Sequence, residues 1–199
     1  MESFYAESLH PWGEEPDEFV VDHADGLLLG TVLDLGSGDG RNALLLARRG
    51  FHVVAVDVVD TAISELRRTA SEAGLTLEAQ VADVADFPLA ATYANVVCTF
   101  TLHFLAADAA MSLISRLKEQ TAPRGCHLLS LFTKNGPLYR PGSKAFWLEP
   151  GRLKTLYDDW HVIYSGRRIV ETVATDESGN PFKQPTDELV VRKPKRAPK

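Results

Sequence analysis

Three glycines at alternate positions restrict the fold of this chain more than any other feature of its sequence. Gly36, Gly38 and Gly40 follow the apolar run 32–35 and precede an apolar helical pattern. Glycine adopts backbone conformations that other residues avoid, and it leaves room for a ligand to approach the main chain. The pattern therefore predicts a strand, a tight turn and the start of a helix, with a ligand site at the turn.

Strand-like and helix-like segments alternate through the first two thirds of the chain. We predict strands at 31–35, 51–56, 76–81, 93–100 and 125–132, and helices at 41–49, 60–73 and 107–120. Asp60 is the predicted N-cap of the second helix. Apolar strands separated by amphipathic helices indicate an α/β fold with a parallel sheet covered on both faces. In such folds ligands bind at the carboxyl ends of the strands.

The alternation ends after residue 132. Residues 133–150 form a long segment with Gly, Pro and aromatic residues, and a short helix is predicted at 152–159. Strands are then predicted at 160–175 and 186–192, with a turn at 176–180 between them. Two strands joined so closely are antiparallel, so the sheet is predicted to end in a hairpin.

Composition limits the class of protein and its partners. A chain of 199 residues is long enough for one domain with a single core, and its net charge of −6 disfavours nucleic acid as a partner. Cys98 and Cys126 lie in apolar strand patterns, which predicts core residues in a reduced, cytoplasmic setting without a disulfide or a metal site. We expect neither a signal peptide nor a membrane span, because no long apolar segment occurs.

Acidic residues at the predicted strand ends indicate the kind of ligand. The spacing is G-x-G-x-G. Arg41 stands where the G-x-G-x-x-G motif of dinucleotide folds has its third glycine. Asp57 follows the second strand, where an acid can accept both hydroxyls of a ribose. Asp83 follows the third strand and is placed for an adenine amino group, while Asp34 is placed for a ligand's ammonium group. Asp34 and Asp39 would repel a pyrophosphate.

At these residues the chain resembles the class I S-adenosylmethionine-dependent methyltransferases. The resemblance rests on Leu33–Gly40, Val54–Asp57 and Ala82–Asp83. It implies a Rossmann-like, doubly wound sheet of seven strands in the order 3-2-1-4-5-7-6, with the last strand antiparallel. It implies methyl transfer from S-adenosylmethionine, which leaves S-adenosylhomocysteine. The residues it assigns to this donor are Asp34, Gly36, Ser37, Gly38, Gly40, Asp57, Val58, Asp83, Val84, Thr99 and Thr101.

Within that superfamily, the chain is most similar to the tellurite-resistance, or TehB-like, methyltransferases. The similarity is in residues 33–57, 146–160 and 175–180. That group carries a His-Arg pair just before the last of these segments and an Arg just after it. Here the corresponding positions hold Val173, Ala174 and Pro181. If those basic residues hold a metalloid oxyanion, the departure argues against tellurite as the acceptor.

Residues expected near the methyl acceptor come from three parts of the chain. His103 follows the fourth strand and is the predicted catalytic residue, as a general base or as a contact to the acceptor. Tyr139, Arg140 and Trp147 are predicted to line the acceptor site, since acceptor sites are usually built from loops. Trp12 is predicted to contact the substrate, within an aromatic segment that also contains Phe4, Tyr5 and His10 and that is predicted to form a lid.

The sequence thus predicts one domain over 1–193 and a basic tail over 194–199. Its parts are an N-terminal lid or helix (1–30), a donor-binding core (31–132) and an acceptor loop, helix and hairpin (133–193). The predicted acceptor is a small molecule, and the protein is predicted to be a monomer or a homodimer. Alternatives are a non-catalytic S-adenosylmethionine-binding sensor, a tellurite or selenite methyltransferase, and a nicotinamide oxidoreductase, which Arg41 disfavours.

Overall fold

A computed structural model describes residue 10 and residues 12–195 of the chain. Phe4 and Tyr5 of the predicted lid, and the end of the basic tail, lie outside the described residues. The strands are β1 (Thr31–Leu35), β2 (His52–Asp57), β3 (Glu78–Val81), β4 (Tyr93–Thr99), β5 (Thr121–Phe132), β6 (His161–Thr175) and β7 (Pro181–Arg192). The α-helices of the described residues are α1 (Glu18–His23), α2 (Arg41–Arg48), α3 (Asp60–Glu72) and α4 (Ala107–Glu119).

The strands form one mixed sheet in the order β3-β2-β1-β4-β5-β7-β6. Neighbouring strands from β3 to β5 are parallel, whereas β7 is antiparallel to both β5 and β6. The predicted seven-stranded α/β fold and its strand order are therefore confirmed. Because β1 and β4 are neighbours, the strand order reverses at the turn that follows β1, which is where open α/β sheets bind ligands.

Each face of the sheet has its own apolar core. On one face, α1, α2 and α3 pack on residues such as Val32, Val97 and Leu128. We call this the α2 face. On the other face, α4 and the 3₁₀ segment Leu153–Tyr157 pack on Leu33, Leu129 and their neighbours. Alternate residues of a strand point to opposite faces, so the near-continuous apolar strands reflect a sheet that is covered on both sides.

Three elements differ from the sequence-based prediction in kind or in length. The helix predicted at 152–159 is the shorter 3₁₀ segment Leu153–Tyr157. β5 begins at Thr121 and β7 at Pro181, both earlier than predicted. Thr121 of β5 pairs with Tyr93 of β4 ahead of an irregularity in that ladder, and β7 pairs with β6 from Pro181 onward. Pairing with neighbours therefore extends these strands over residues that have weak strand patterns.

The predicted N-cap of the second helix is wrong by one position. α3 includes Asp60, and its N-cap residue is Val59, without a side-chain capping bond. The amide of Val59 instead donates to the Asp57 carboxylate at 2.9 Å. The carboxylate at the end of β2 thus performs part of the capping that the sequence had assigned to Asp60.

The predicted core cysteines are confirmed, since Cys98 and Cys126 are free and buried. Among residues 10 and 12–195, no helix is long and apolar enough to cross a membrane. The predictions of a cytoplasmic location and of a monomer or homodimer stay predictions.

Candidate functional site

The glycine turn after β1 has a backbone that only glycine adopts readily. The φ angles of Gly36, Gly38 and Gly40 are +69°, +57° and +94°. A Cβ at Gly36 would lie 2.0 Å from Thr101 Oγ1, and one at Gly40 would lie 2.2 Å from Leu66 Cδ1. Conformation and space therefore both require glycine at these two positions. α2 begins directly after the turn, so its N-terminal amides face the same space.

Asp57, at the end of β2, is fixed beside this turn. Its two carboxylate oxygens accept hydrogen bonds of 2.9 Å from the amides of Gly38 and Val59. A carboxylate has about four acceptor sites, so Asp57 keeps two for a ligand. The two backbone bonds hold the side chain in one orientation, as recognition of a pair of ribose hydroxyls requires.

Asp34 is a buried carboxyl group with an unsatisfied oxygen. The residue is 1% exposed, and Oδ2 has no hydrogen-bond partner in the described part of the chain. Burial, together with the nearby charge of Asp57, raises the pKa of Asp34 to about 7, against a smaller opposing effect of Arg41. A buried polar atom without a partner is costly, so such an atom at a ligand site indicates that the ligand supplies the partner.

The remaining donor residues predicted after β2 and β3 lie at neighbouring strand ends. Val58 is 53% exposed, which leaves an apolar surface beside Asp57. Asp83 is exposed and accepts a hydrogen bond of 2.8 Å from the amide of Ala85, while Val84 is buried. The β2–β3 register pairs Asp57 with Val81, so Asp83 follows two residues beyond the end of that ladder.

The end of β4 carries Thr99 and Thr101, and between them lies a strained residue. Thr99 Oγ1 accepts from the Asn42 side chain at 3.2 Å, and Thr101 Oγ1 lies 3.1 Å from the carbonyl of Leu35. Thr101 therefore ties the end of β4 to the end of β1. Phe100 has a φ of +54°, which costs a bulky residue of order 1–3 kcal/mol and is found mainly at functional sites.

His103 lies in an aromatic cluster beyond β4. Its ring stacks on Phe132 with a centroid distance of 4.3 Å, and the ring of Trp147 is 5.8 Å away. Phe100 also contacts Phe132, at 5.2 Å. Burial lowers the pKa of His103 to about 3, and its Nδ1 has no partner among the described residues. We call Phe100, His103, Phe132 and Trp147 the aromatic wall; at neutral pH its imidazole is uncharged.

The predicted acceptor residues of the long loop separate into two groups. Tyr139 makes an edge-to-face contact of 5.7 Å with Trp147, so Tyr139 adjoins the aromatic wall. Arg140 is exposed, and its guanidinium donates to the carbonyls of Pro137 and Tyr139 in its own loop. The structure thus brings Tyr139 and Trp147 towards His103, whereas Arg140 is directed along the loop.

The N-terminal segment lies across the glycine turn. Arg41 donates to the Trp12 carbonyl at 2.9 Å, and His10 Nδ1 lies 2.6 Å from Asp39 Oδ2. The Asn42 side chain accepts from the Asp17 amide at 2.9 Å. The Trp12 side chain packs against the apolar pair Val59 and Ala62, close to Asp57. Trp12 is therefore placed on the donor side of the site.

The structure brings most of the predicted site residues to one edge of the sheet. Sequence reasoning missed several others, which are Asp17, Phe132, Ser130 and Glu188. Asp17 is buried and accepts from Arg168 of β6 at 2.6 Å. No local motif marks these residues, because they come from separate elements that meet only in the folded sheet.

The sequence and the fold of this chain match those of a known family. A model of the family described as "Tellurite resistance protein TehB" matches residues 15–186. The chain belongs to the TehB family. The "Probable S-adenosyl-L-methionine-dependent methyltransferase TehB" of Haemophilus influenzae is 29% identical over 174 residues, which are 87% of this chain and 61% of that protein. The chain thus spans less than two thirds of the length of this TehB relative.

Structural comparison gives the same result. The crystal structure of TehB from Haemophilus influenzae superposes with a TM-score of 0.77 at 30% identity, covering 87% of this chain and 61% of that one. Another relative is a 2-heptyl-1-hydroxyquinolin-4(1H)-one methyltransferase of Mycobacteroides abscessus. It is 28% identical over 128 residues, 62% of this chain and 56% of that protein. The TehB family thus includes this chain, and the Mycobacteroides abscessus relative is named for its acceptor.

Proposed function

We propose that this TehB-family protein transfers the methyl group of S-adenosylmethionine to a small planar aromatic acceptor. The observation that carries the proposal is the unsatisfied, buried carboxylate oxygen of Asp34 beside a glycine turn that a Cβ would obstruct. Its position favours a ligand with a cationic group over a pyrophosphate, which Asp34 and Asp39 would repel. The aromatic wall beside the end of β4 supports an aromatic acceptor.

The residues present fit this donor. Asp34 would pair with its ammonium group, and Asp57, oriented by Gly38 and Val59, would accept from its ribose hydroxyls. The exposed Val58 would contact the adenine, with Asp83 near the amino group. S-adenosylmethionine supplies a methyl group already activated by a positively charged sulfur. The protein therefore has to contribute alignment, exclude water and shield the cation.

The aromatic wall would hold the acceptor in line with the methyl group. Positioning of two reactants can contribute on the order of 7–11 kcal/mol to a reaction barrier. Electron-rich faces such as those of Phe132 and Trp147 also stabilise a nearby sulfonium, worth roughly 0.5–2 kcal/mol. Because burial lowers the pKa of His103 to about 3, its imidazole is a weak base at neutral pH. We infer that His103 orients the acceptor by hydrogen bonding at Nδ1. The nucleophilic group of the acceptor then reacts without its proton, which it has released to water.

A second candidate is methylation of tellurite or selenite, which the family's description favours. The positions that carry basic residues in that group hold Val173, Ala174 and Pro181 here, at the tip of the β6–β7 hairpin. An oxyanion at that place would meet these uncharged side chains in place of the basic residues. The aromatic acceptor is therefore the better supported of the two.

Binding and turnover together test this proposal. Calorimetry should show binding of S-adenosylmethionine and S-adenosylhomocysteine but not of NAD. Release of S-adenosylhomocysteine should then be measured with 2-heptyl-1-hydroxyquinolin-4(1H)-one, 4-hydroxyquinoline, thiophenol, selenite and tellurite. We expect turnover with the aromatic compounds and none with the oxyanions. Donor binding without turnover of any acceptor would support a sensor, and turnover of tellurite alone would replace the aromatic acceptor.

A further inference from the structure

A row of buried polar side chains crosses the sheet beside the predicted donor site. Thr99 of β4 pairs with Ser130 of β5, and Ser130 pairs with Glu188 of β7. Residues paired across neighbouring strands project to the same face of the sheet. Thr99 contacts Asn42 of α2, so this is the α2 face. All three residues are buried, at 8%, 0% and 5% exposure.

This row is level with the glycine turn. β1 and β4 pair Asp34 with Val97, so Thr99 lies opposite the residue two beyond Asp34, which is Gly36. Val97 and Thr99 alternate on the strand, and therefore Asp34 points to the same face as Thr99. Neighbouring strands are about 4.8 Å apart, which places Ser130 on the strand next to β4 and roughly 10 Å from β1. The row begins where the donor's methyl end is expected.

Ser130 is the residue in this row whose hydrogen bonding is incomplete. Its Oγ is buried and has no partner within residues 10 and 12–195, although Thr99 and Glu188 flank it. Glu188 Oε1 lies 2.8 Å from Arg168 Nε, and neither of these two atoms has a well-aligned hydrogen bond to a described group. The Glu188 carboxylate also accepts from the hydroxyl of Tyr164 on β6. Buried hydroxyls are almost always paired, so the missing partner is expected to come from a ligand.

The aromatic wall adjoins the row on its outer side. Phe132 is two residues beyond Ser130 on the same strand, and it stacks on His103. The amide of the strained Phe100 donates to the Ser130 carbonyl at 3.0 Å. A planar ligand against Phe132 would thus have a polar edge within reach of Ser130 and an aromatic face against the wall. The arrangement combines an apolar surface with a small number of polar groups, which is typical of small-molecule sites.

We propose that Ser130 and Glu188 form the polar floor of the acceptor site and select aromatic acceptors that carry an N–H or O–H donor on the ring. Glu188 accepts the hydrogen bond, and the Ser130 hydroxyl turns to donate or accept as the ligand requires. Arg168 keeps the Glu188 carboxylate in place from β6. This inference rests on the proposed methyltransferase function, and it names residues that determine which acceptor is bound.

Two fused-ring probes of similar aromatic area test the inference. 4-Hydroxyquinoline presents a ring N–H or O–H, and quinoline presents no donor at neutral pH. Their affinities should be measured by calorimetry with the full chain saturated with S-adenosylhomocysteine. We expect the wild type to bind 4-hydroxyquinoline at least about tenfold more tightly than quinoline, since a site built for a donor rejects a ligand that lacks one.

The variants Ser130→Ala and Glu188→Gln should reduce this ratio to below about threefold while leaving the affinity for quinoline and for S-adenosylhomocysteine unchanged. Ser165→Ala, in an exposed serine of edge strand β6, is the matched control and should keep the wild-type ratio. If Glu188→Gln fails to fold, Ser130→Ala decides the question, because it only removes a hydroxyl.

The outcomes separate this inference from the proposed function. An unchanged ratio in both folded variants overturns the inference, and so does a wild-type complex that does not discriminate between the two probes. A wild-type chain that fails to bind S-adenosylhomocysteine contradicts the proposed function instead. A falling ratio with unchanged donor affinity supports both.

Discussion

Single residues in this protein carry costs that folding alone does not explain. Asp34, His103 and Ser130 are buried, and each leaves a polar atom without a partner in the described chain. Phe100 holds a left-handed backbone conformation between them. Each such feature destabilises a fold by roughly 1–3 kcal/mol. Their concentration at one sheet edge is best explained by a ligand that supplies the missing contacts.

Asp57→Ala should weaken binding of S-adenosylmethionine at least about tenfold, because a carboxylate that accepts two hydroxyl bonds contributes more than 1.4 kcal/mol. The affinity should be measured by calorimetry at neutral pH. Asp60→Ala, at the exposed first residue of α3, is the control and should bind like the wild type. An unchanged affinity of Asp57→Ala would remove this residue from the donor site.

The raised pKa of Asp34 predicts how stability depends on pH. The ordinary value is 3.8 and the folded value is about 7, so the folded state holds the proton more tightly than the unfolded state. The stabilisation is complete below pH 3.8 and is lost as the pH rises towards 7. As the pH rises towards 7, the unfolding free energy of the ligand-free wild type should therefore fall relative to that of Asp34→Asn, by up to about 1.4 kcal/mol per pH unit.

Urea titrations at several pH values between 5 and 8 measure this difference. With saturating S-adenosylmethionine, the unfolding free energy of the wild type should instead rise with pH relative to Asp34→Asn, because the ammonium group favours the ionised carboxylate. Parallel stability profiles of the wild type and Asp34→Asn would contradict the raised pKa.

Trp147→Ala should raise the KM for an aromatic acceptor at least about fivefold, since the ring provides stacking area in the aromatic wall. The affinity for S-adenosylhomocysteine should stay within about twofold, as Trp147 lies on the loop after β5 and not at the glycine turn. Steady-state kinetics with 4-hydroxyquinoline and calorimetry separate the two effects. Trp147→Phe should recover most of the loss, and a loss of donor binding in Trp147→Ala would place this loop at the donor site.

At the scale of elements, the unit β1–turn–α2 is the part of the fold most directly encoded in local sequence. The observed bounds of β1 are those predicted, and α2 ends one residue before the predicted helix. Alternating glycines determine the turn because their positive φ angles bring the amides of the turn and of α2 to one point. The same unit then holds the N-terminal segment through Arg41 and Asn42.

Gly36→Ala and Gly50→Ala separate the two reasons for glycine in this unit, which are a left-handed backbone and a lack of space for a Cβ. Both glycines have positive φ angles, +69° and +85°, but a Cβ meets Thr101 at Gly36 and nothing within 4 Å at Gly50. Gly50→Ala should destabilise the protein by about 1–2 kcal/mol, the cost of the left-handed conformation. Gly36→Ala should cost about 1–3 kcal/mol more because of overpacking. Urea denaturation measures both, and equal losses would show that the close approach to Thr101 is unimportant.

At the scale of the whole molecule, a buried ion network joins the two ends of the described chain. Asp17, which caps α1, accepts from Arg168 of β6 at 2.6 Å and lies 3.7 Å from Arg41 of α2. Arg168 also lies 2.8 Å from Glu188 of β7. The segment across the glycine turn is thus held by the terminal hairpin as well as by α2. Opening of this segment as a lid would require these contacts to break.

Arg168→Gln should destabilise the protein by about 2–3 kcal/mol, since it leaves the buried Glu188 carboxylate without its cation and removes the nearer of the two cations beside Asp17. It should also increase cleavage by protease near residues 12–17 in the native state. Lys183→Gln on the same hairpin is the matched control. Lys183 is exposed and reaches one exposed carboxylate at 3.9 Å, so its loss should change stability by less than about 0.5 kcal/mol. Equal effects of the two substitutions would show that the network does not hold the segment.

The strand order was implied by the resemblance to a known methyltransferase family. The sequence by itself determined the alternation of strands and helices, the glycine turn and the acids at the ends of β1, β2 and β3. These features are local: alternation of apolar segments defines strands and helices, and a ligand-binding turn needs glycines at defined positions. The element that it predicted least well was the segment Leu153–Tyr157, a 3₁₀ turn held partly by the bond from the amide of Gly151 to Asp187. A contact from a distant strand leaves no local pattern.

Only the tertiary structure decided which residues lie at the proposed acceptor side. Ser130, Glu188 and Phe132 lie in strands that read as ordinary core segments. Sheet register places Ser130 beside Glu188, and loop packing brings His103 and Trp147 to Phe132. The structure likewise decided that Arg41 and Asn42 hold the N-terminal segment and that Arg140 is directed along its own loop. The donor turn is built from consecutive residues, whereas the acceptor side is built from residues far apart in sequence, and long-range packing brings them together.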